Sequence, residues 1–381
     1  MPNGTQVACY YFPNYHVDPR NERDHGAGWT EWELVRRAEP RFAGHQQPRV
    51  PIWGYEDESD PAVMAKKIAA AANHGIDAFL FDWYYYDDGP FLERGLEQGF
   101  FGAPNRDRLK FALMWANHNW VDIHPAKRST AFQHAHLLYP GAVTSATFDA
   151  IVELVIERYF KHPCYWLIDG CPYFSIYELH TLIEGLGGVA ATRDALAHFR
   201  ARVKAAGFPD LHLNDVAWDL PLLPGETAIA DPQHILSELG FDSITSYVWI
   251  HHVPLSNFPE TPYQQVMATA IQHWQTISAA FTLPYFPNVS MGWDSSPRTV
   301  QSDRFVDAGY PFMATLSGNT PAAFQQALAA VKQFLDARTG PRIFTINAWN
   351  EWTEGSYLEP DTVHGMGYLE AIRAVFGTAD G

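Results

Sequence analysis

Short apolar runs rich in β-branched and aromatic residues alternate with stretches of helical periodicity along the whole chain. "VACYYFPNY" (7–15) reads as a strand closing on a proline. Ser59-Asp60-Pro61 supplies the cap and first-position proline of a helix, and "AVMAKKIAAAANHG" continues it to a stop at Gly75. "IDAFLFDWYYY" (76–86) and "LKFALMWANHNW" (109–120) are the next strands. A helix over 145–160 leads into "CYWLIDGCPYFSIYE" (164–178), two short β segments about a glycine. The pattern then repeats with helix 193–206 before strand 211–218, and strand 241–249. Helix 263–280 precedes strand 285–294, helix 322–338 precedes strand 342–352, and a last helix covers 367–376.

Continuous apolar strands are those covered on both faces. About eight β/α units with no low-complexity linker predict one domain over 1–381, a (β/α)8 TIM barrel with extended βα loops. An open doubly wound sheet is the alternative, but no G-x-G-x-x-G turn follows the first strand.

In such a barrel, the active site lies at the carboxyl ends of the strands. The first strand carries Tyr11 and ends in Asn14, Tyr15 and His16; the second ends in Asp82, Trp83 and Tyr84. Trp115, Asn117, His118 and Asn119 end the third, and Tyr177 with Glu178 the fourth. Asn214, Asp215 and Trp218 follow, then Tyr247 and Trp249, then Trp293 and Asp294 with Arg298 just beyond. The eighth supplies Asn350, Glu351, Trp352 and Glu354. Strand middles are apolar, whereas the ends pair an aromatic with a carboxylate, amide or imidazole. Flat apolar faces beside hydrogen-bonding groups suit sugar rings.

Composition sharpens this. Aromatic residues make up 14% of the chain, with 13 Trp and 18 Tyr. A net charge of −17 argues against nucleic acid or an anionic membrane as partner. No run approaches the ~18 apolar residues of a membrane span. The start, "MPNGTQVACYYF", shows no signal-peptide pattern, so a cytoplasmic protein is the expectation. Cys9, Cys164 and Cys171 lack disulfide or zinc spacing and read as buried thiols. His251-His252 has no third ligand at a sensible spacing and reads as loop; neither metal nor cofactor is expected.

"FTINAWNEWTEGSYLEPD" (344–361) sets Glu351 and Glu354 three residues apart, flanked by Trp349 and Trp352. If the backbone turns helically there, the two share a face with Cβ atoms ~5–6 Å apart. Two close, desolvated carboxyls share a proton, and so offer an acid and a base at one pH. The pair is the expected catalytic centre. The segment 28–51, with Glu31 and Trp32, either lines one side of the pocket or packs as a rim. G-x-S-x-G and a P-loop are both missing.

"YYFPNYHVDP", "GAGWTEWELVRRAEPRFAGHQQPR", "GIDAFLFDWYYY", "MWANHNW", "GWDSSPR" and "NEWTEGSYLEPD", in this order, resemble the WbsX-like bacterial proteins. These are related to the glycoside hydrolase family 99 and 71-like barrels. The resemblance implies a (β/α)8 barrel acting on an oligo- or polysaccharide. "NEWTEG" is similar to the E-W-x-E-G of family 99 endo-α-mannosidases, which act with retention through a 1,2-anhydro sugar. That implies Glu351 as base towards the sugar 2-hydroxyl and Glu354 as acid/base. Two departures stand out: His118 replaces the acid of W-A-N-E-N-W, and Ser295 stands where the family often has Asn. A retaining α-glycosidase is the leading expectation, beside a polysaccharide-biosynthesis glycosyltransferase and a non-catalytic carbohydrate-binding barrel. The resemblance does not choose the sugar.

Overall fold

The computed structural model describes residues 4–126, 135–223 and 225–377. Eight parallel strands form its centre. They are β1 (Gln6–Tyr11), β2 (Ala78–Tyr86), β3 (Lys110–Trp115), β4 (Cys171–Ile176), β5 (His212–Val216), β6 (Ser243–Thr245), β7 and β8 (Ile343–Asn347). β7 comes in two pieces about Pro287, Tyr285–Phe286 and Asn288–Ser290. The first piece pairs with β6 (Ile244 opposite Tyr285) and the second with β8 (Asn288 opposite Thr345). β1 lies between β8 and β2, with Gln6 opposite Ile343 and Ala8 opposite Ala78. Neighbour follows neighbour around the ring, which closes through β7. This is the expected (β/α)8 barrel.

The helices form where the pattern placed them, for local reasons. Asp60 accepts from Ala62 N–H ahead of Pro61 to start α3 (Pro61–Asn73), and Thr320 does the same for α9 (Pro321–Asp336). α8 (Tyr263–Ala280) and α10 (Gly367–Phe376) have the expected bounds. Helix 145–160 is α4 (Ser145–Leu154), continuing into a wider π-type turn over Val155–Phe160. Helix 193–206 is α6 (Val189–Ala205), which begins earlier and packs behind α5 (Leu179–Leu186). α5 and α7 (Pro232–Leu239) have no counterpart in the pattern reading. Segment 164–178 is the expected hairpin, Leu167–Ile168 against β4. The strands are shorter than their apolar runs, because the runs continue into turns that carry site residues. Cys9 and Cys164 are buried as expected, whereas Cys171 is only half-buried.

The barrel lumen is not purely apolar. Ser175 Oγ donates to Asn214 Oδ1 (2.9 Å), and Asn214 Nδ2 donates to Ser243 Oγ (2.8 Å). Asn288 Nδ2 donates to Thr345 Oγ1 (3.1 Å) on the other side. All five side chains are buried and matched with one another, so burial carries little penalty.

A buried ion pair fastens α3 to the segment after β8. Lys67 Nζ lies 2.8 Å from Glu359 Oε1 and donates to Tyr11 Oη at 3.0 Å. Glu359 also accepts from Trp349 Nε1 (2.9 Å) and Trp352 Nε1 (2.7 Å). Both indoles therefore turn their polar edge away from the barrel mouth. Lys67→Ala strands a buried carboxylate, and the expected loss is about 3–5 kcal/mol of stability. Urea unfolding of the two proteins measures it, and a loss below about 1 kcal/mol contradicts the reading.

Candidate active site

At the carboxyl ends of the strands, loops enclose about 650 Å³ of space, part of it continuous with solvent. Asp82 and Tyr84 enter it from the end of β2, and Tyr247 from the turn after β6. Trp293, Arg298 and Tyr310 come from the long connection after β7, and Glu351 and Glu354 from the turn after β8. Phe12, Met114, Val121, Ile123, Leu222, Leu223 and Val248 make the rest of the wall largely apolar.

The two glutamates converge, by a local fold other than the expected helix. Asn350–Glu351 is a two-residue strand paired with Ser356–Tyr357, and Trp352–Glu354 is a single 3-10 turn. Gly355 then takes φ +61°, and a Cβ there would stand 2.6 Å from Asp294 Cβ. Only glycine fits this reversal without strain.

Arg298 lies between the carboxyls. Its Nη1 donates to Glu354 Oε1 at 2.7 Å, and its Nη2 lies 3.5 Å from Glu351 Oε2. From behind, Glu31 Oε1 accepts from Nε (3.2 Å) and Nη2 (3.0 Å). Nε also donates to Thr353 Oγ1 at 3.0 Å, and Nη1 contacts the Tyr310 hydroxyl. That hydroxyl donates to Glu354 Oε1 at 2.6 Å. One guanidinium thus faces three buried carboxyls, with Asp82 close by.

A single cation cannot offset that charge, so the site retains protons. Burial, then the neighbouring Glu354, pushes the Glu351 carboxyl well above its ordinary range. Burial also lifts Asp82 well above its usual value. Glu354 is raised by burial against the pull of Arg298. The Tyr247 hydroxyl lies 2.8 Å from Asp82 Oδ2 and 3.1 Å from Glu351 Oε1. It has one hydrogen to donate, so the second carboxyl is matched only when it is protonated. Protons are therefore held more firmly on the Asp82–Tyr247–Glu351 side than on Glu354, whose carboxyl Arg298 and Tyr310 pull the other way.

Of the residues expected at the site, Asp82, Tyr84, His118, Asn119, Tyr177, Tyr247, Trp293, Arg298, Glu351 and Glu354 line the cavity. The others stand behind its wall. Tyr11 donates to Glu58 (2.8 Å), and His16 Nδ1 lies 3.0 Å from Glu58 Oε1. Tyr15 accepts from Trp352 N–H (3.1 Å) and packs on Trp32, whose Nε1 donates to Glu56 O. Glu31 accepts from Asn14 as well as from Arg298, so the rim segment holds the arginine. Trp83 stacks on Tyr85, and Trp115 Nε1 donates to Tyr85 O. Asn117 caps the Glu178 backbone, and Trp249 Nε1 donates to Asn288 O. Asp294 is held by His45 and Gln47, both at 2.8 Å. Asn350 bridges the Phe12 backbone, and Trp352 stacks on Tyr357 with 3.7 Å between centroids.

Several wall residues were not anticipated. Tyr310 lies far from the barrel strand ends, and Trp120, the last residue of the third-strand motif, stacks on His124 at 4.8 Å. Leu222 and Leu223 belong to the loop after β5, where Glu226 accepts from both their N–H groups and from Tyr177 Oη. His252, read as plain loop, meets Asp219 and His273, which are too distant in sequence for spacing to suggest.

The profile of a family described as "Glycosyltransferase WbsX" matches residues 7–372. The chain belongs to the WbsX family. An uncharacterized protein, WxcX of Xanthomonas campestris pv. campestris, is 28% identical over 96% of this chain and 49% of its own length. The chain thus spans about half the length of the curated relatives it matches. Among solved structures, the GH99 endo-alpha-mannosidase of Bacteroides thetaiotaomicron superposes with a TM-score of 0.61. It is 13% identical, and the match covers 98% of this chain and 96% of that one. A "Glycoside hydrolase-like protein" gives 0.62 at 16% identity, covering 100% of this chain and 96% of its own. These likenesses show a shared barrel.

Against the WbsX pattern, His118 turns a carboxylate position into a neutral one. Burial holds its pKa down to about 4, and its Nδ1 donates to Asn119 O at 3.0 Å. Nε2 is then left as an acceptor. Burial also holds His251 down to about 3 and His124 well below its ordinary value. In the opposite direction, burial lifts Glu178 and Asp215 to about 8 and Glu226 to about 7.

These shifts shape stability against pH. Below about 6.5, the unfolded chain binds the protons that the buried histidines refuse, so stability falls as pH drops towards 4. Above about 4.5, the native state keeps protons that the unfolded carboxyls release, so stability falls as pH climbs towards 8. The two slopes oppose one another between about pH 4.5 and 6.5, and above about 6.5 only the carboxyl limb remains. Each group contributes up to about 1.4 kcal/mol per pH unit on its own limb. Glu226→Gln keeps the acceptor and should flatten the alkaline limb. Urea midpoints from about pH 4 to 9 check this, and a parent midpoint that rises above about pH 6.5 contradicts it.

Proposed function

We propose that this WbsX-family protein is a glycoside hydrolase that acts with retention on an α-linked sugar of a glycan. Glu351 and Glu354 serve as its acid and base. The observation that carries this reading is that both carboxyls reach one buried guanidinium inside an aromatic-walled cavity. Hydrolysis needs one group to protonate the leaving oxygen and another to take up a proton. Unequal surroundings that push two carboxyls apart in proton affinity supply that division.

The route follows the family 99 resemblance. The base removes the proton of the sugar 2-hydroxyl, whose oxygen displaces the leaving group at C1 while the acid protonates it. Water then opens the 1,2-anhydro ring: the second glutamate, now a base, takes the water's proton, and the first glutamate returns its proton to the 2-oxygen as the C1–O2 bond breaks. No bond forms between sugar and enzyme. The motif assigns the base to Glu351 and the acid/base to Glu354. Contacts in the free cavity favour the reverse, because Arg298 and Tyr310 both donate to Glu354 while Glu351 shares the Tyr247 hydroxyl with Asp82. Leaving-group dependence separates the two assignments.

The family's description is the observation that favours a second reading, glycosyl transfer. The chain contains no D-x-D with which to hold a nucleotide sugar through a metal. Calorimetry with nucleotide sugars distinguishes the readings, since a hydrolase shows no saturable heat.

Glu351→Gln and Glu354→Gln should each lower hydrolysis of alkyl α-glycosides about 10²–10⁴-fold. On dinitrophenyl glycosides, which need no acid, only the variant lacking the acid should recover. A panel of α-glycosides of different sugars is the assay. Both variants within about two-fold of the parent would remove the pair from the chemistry.

A further inference from the structure

We propose that Asp219, His252 and His273 form a binding site for a borderline divalent metal ion, zinc in the first instance, which ties the loop after β5 to the loop after β6. Asp219 follows β5, His252 follows the turn Trp249–His251, and His273 lies within α8. Asp219 Oδ2 stands 2.9 Å from His252 Nδ1 and 2.9 Å from His273 Nε2. All three ligand atoms lie within 4.8 Å of one another. At zinc distances of about 2.0–2.2 Å, tetrahedral ligands stand about 3.3 Å apart, so each oxygen–nitrogen pair need open by only a few tenths of an ångström to admit the ion.

The surroundings favour a metal over a plain hydrogen-bonded triad. The other nitrogen of His252, Nε2, lies 2.8 Å from Ser246 Oγ, itself 2.9 Å from Tyr285 Oη. An N–H donated to an outer partner fixes the ring and turns the lone pair of the opposite nitrogen to the metal. The two imidazoles stack with 4.3 Å between centroids, which brings both donor nitrogens to one side of the carboxylate. The Asp219 side chain is 61% exposed, giving the ion an entry path and room for water as a further ligand. Two imidazoles with one carboxylate suit zinc and its neighbours rather than calcium or magnesium.

The site belongs to the cavity's outer wall. Asp219 N–H and Leu220 N–H both donate to His251 O, at 3.0 and 2.9 Å. Leu222, Leu223 and His251 line the cavity beyond. A bound ion would hold that wall in place without touching the glutamate pair, so the inference is independent of the hydrolytic reading.

The full chain, stripped with a chelator, is titrated with zinc chloride by calorimetry and with cobalt(II) followed by visible absorption. One ion per chain is expected. His273→Ala and Asp219→Asn should each weaken zinc at least ~10-fold and remove the cobalt bands. His234→Ala, at an exposed histidine elsewhere, should change neither. Circular dichroism checks folding, and His273→Gln replaces any variant that fails it. Absence of saturable zinc binding by the parent overturns the proposal. So does equal affinity in the parent and the folded site variants.

Discussion

The guanidinium of Arg298 faces Glu31, Glu351 and Glu354 in a region nearly closed to water, and much of the barrel mouth is arranged around that imbalance. One positive charge among several buried carboxyls is stable only if some of them stay protonated, because an unpaired buried charge is costly. This explains why Tyr247 bridges Asp82 and Glu351 while Tyr310 supports Glu354. It also gives the long connection after β1 a purpose. α1 (Pro19–His25) and α2 (Trp32–Arg37) bracket Glu31 and deliver it to the back of the arginine, where it touches Thr353 as well.

Much of the fold is legible in the sequence because local and tertiary preferences agree. Asp60-Pro61 and Thr320-Pro321 start helices that the barrel also requires, and α8 and α10 have clear bounds. Strand ends are less legible. An apolar run shows where burial begins, but not where the backbone leaves the ladder to aim a side chain. Trp249 and Trp352 show the difficulty. Each is an indole at a strand end, yet Trp249 is spent on Asn288 O and Trp352 on Glu359. The converging glutamates were readable from their spacing, whereas the turn that brings them together was not. Tyr310, Leu222 and Leu223 reach the cavity from long loops, and no periodicity marks such positions.

The cavity lining combines charged and apolar groups. Met114, Val121, Ile123 and the Leu222–Leu223 wall present hydrocarbon, while carboxyls and hydroxyls crowd around Arg298. His118 lines the cavity with an acceptor nitrogen rather than a negative charge, so it adds no further like charge to an already acidic site.

The division of β7 at Pro287 has a consequence for how the ring holds together. Each piece bonds one neighbour only, and the ladder between β6 and β7, two residue pairs long, is the shortest in the barrel. Tyr247 emerges from β6 on one side of that divided strand and Glu351 from β8 on the other. The Tyr247 hydroxyl reaches the Glu351 carboxyl across it at the rim, acting as a clasp where the staves are least joined. A group read here as part of the reaction centre would then also keep the cylinder shut.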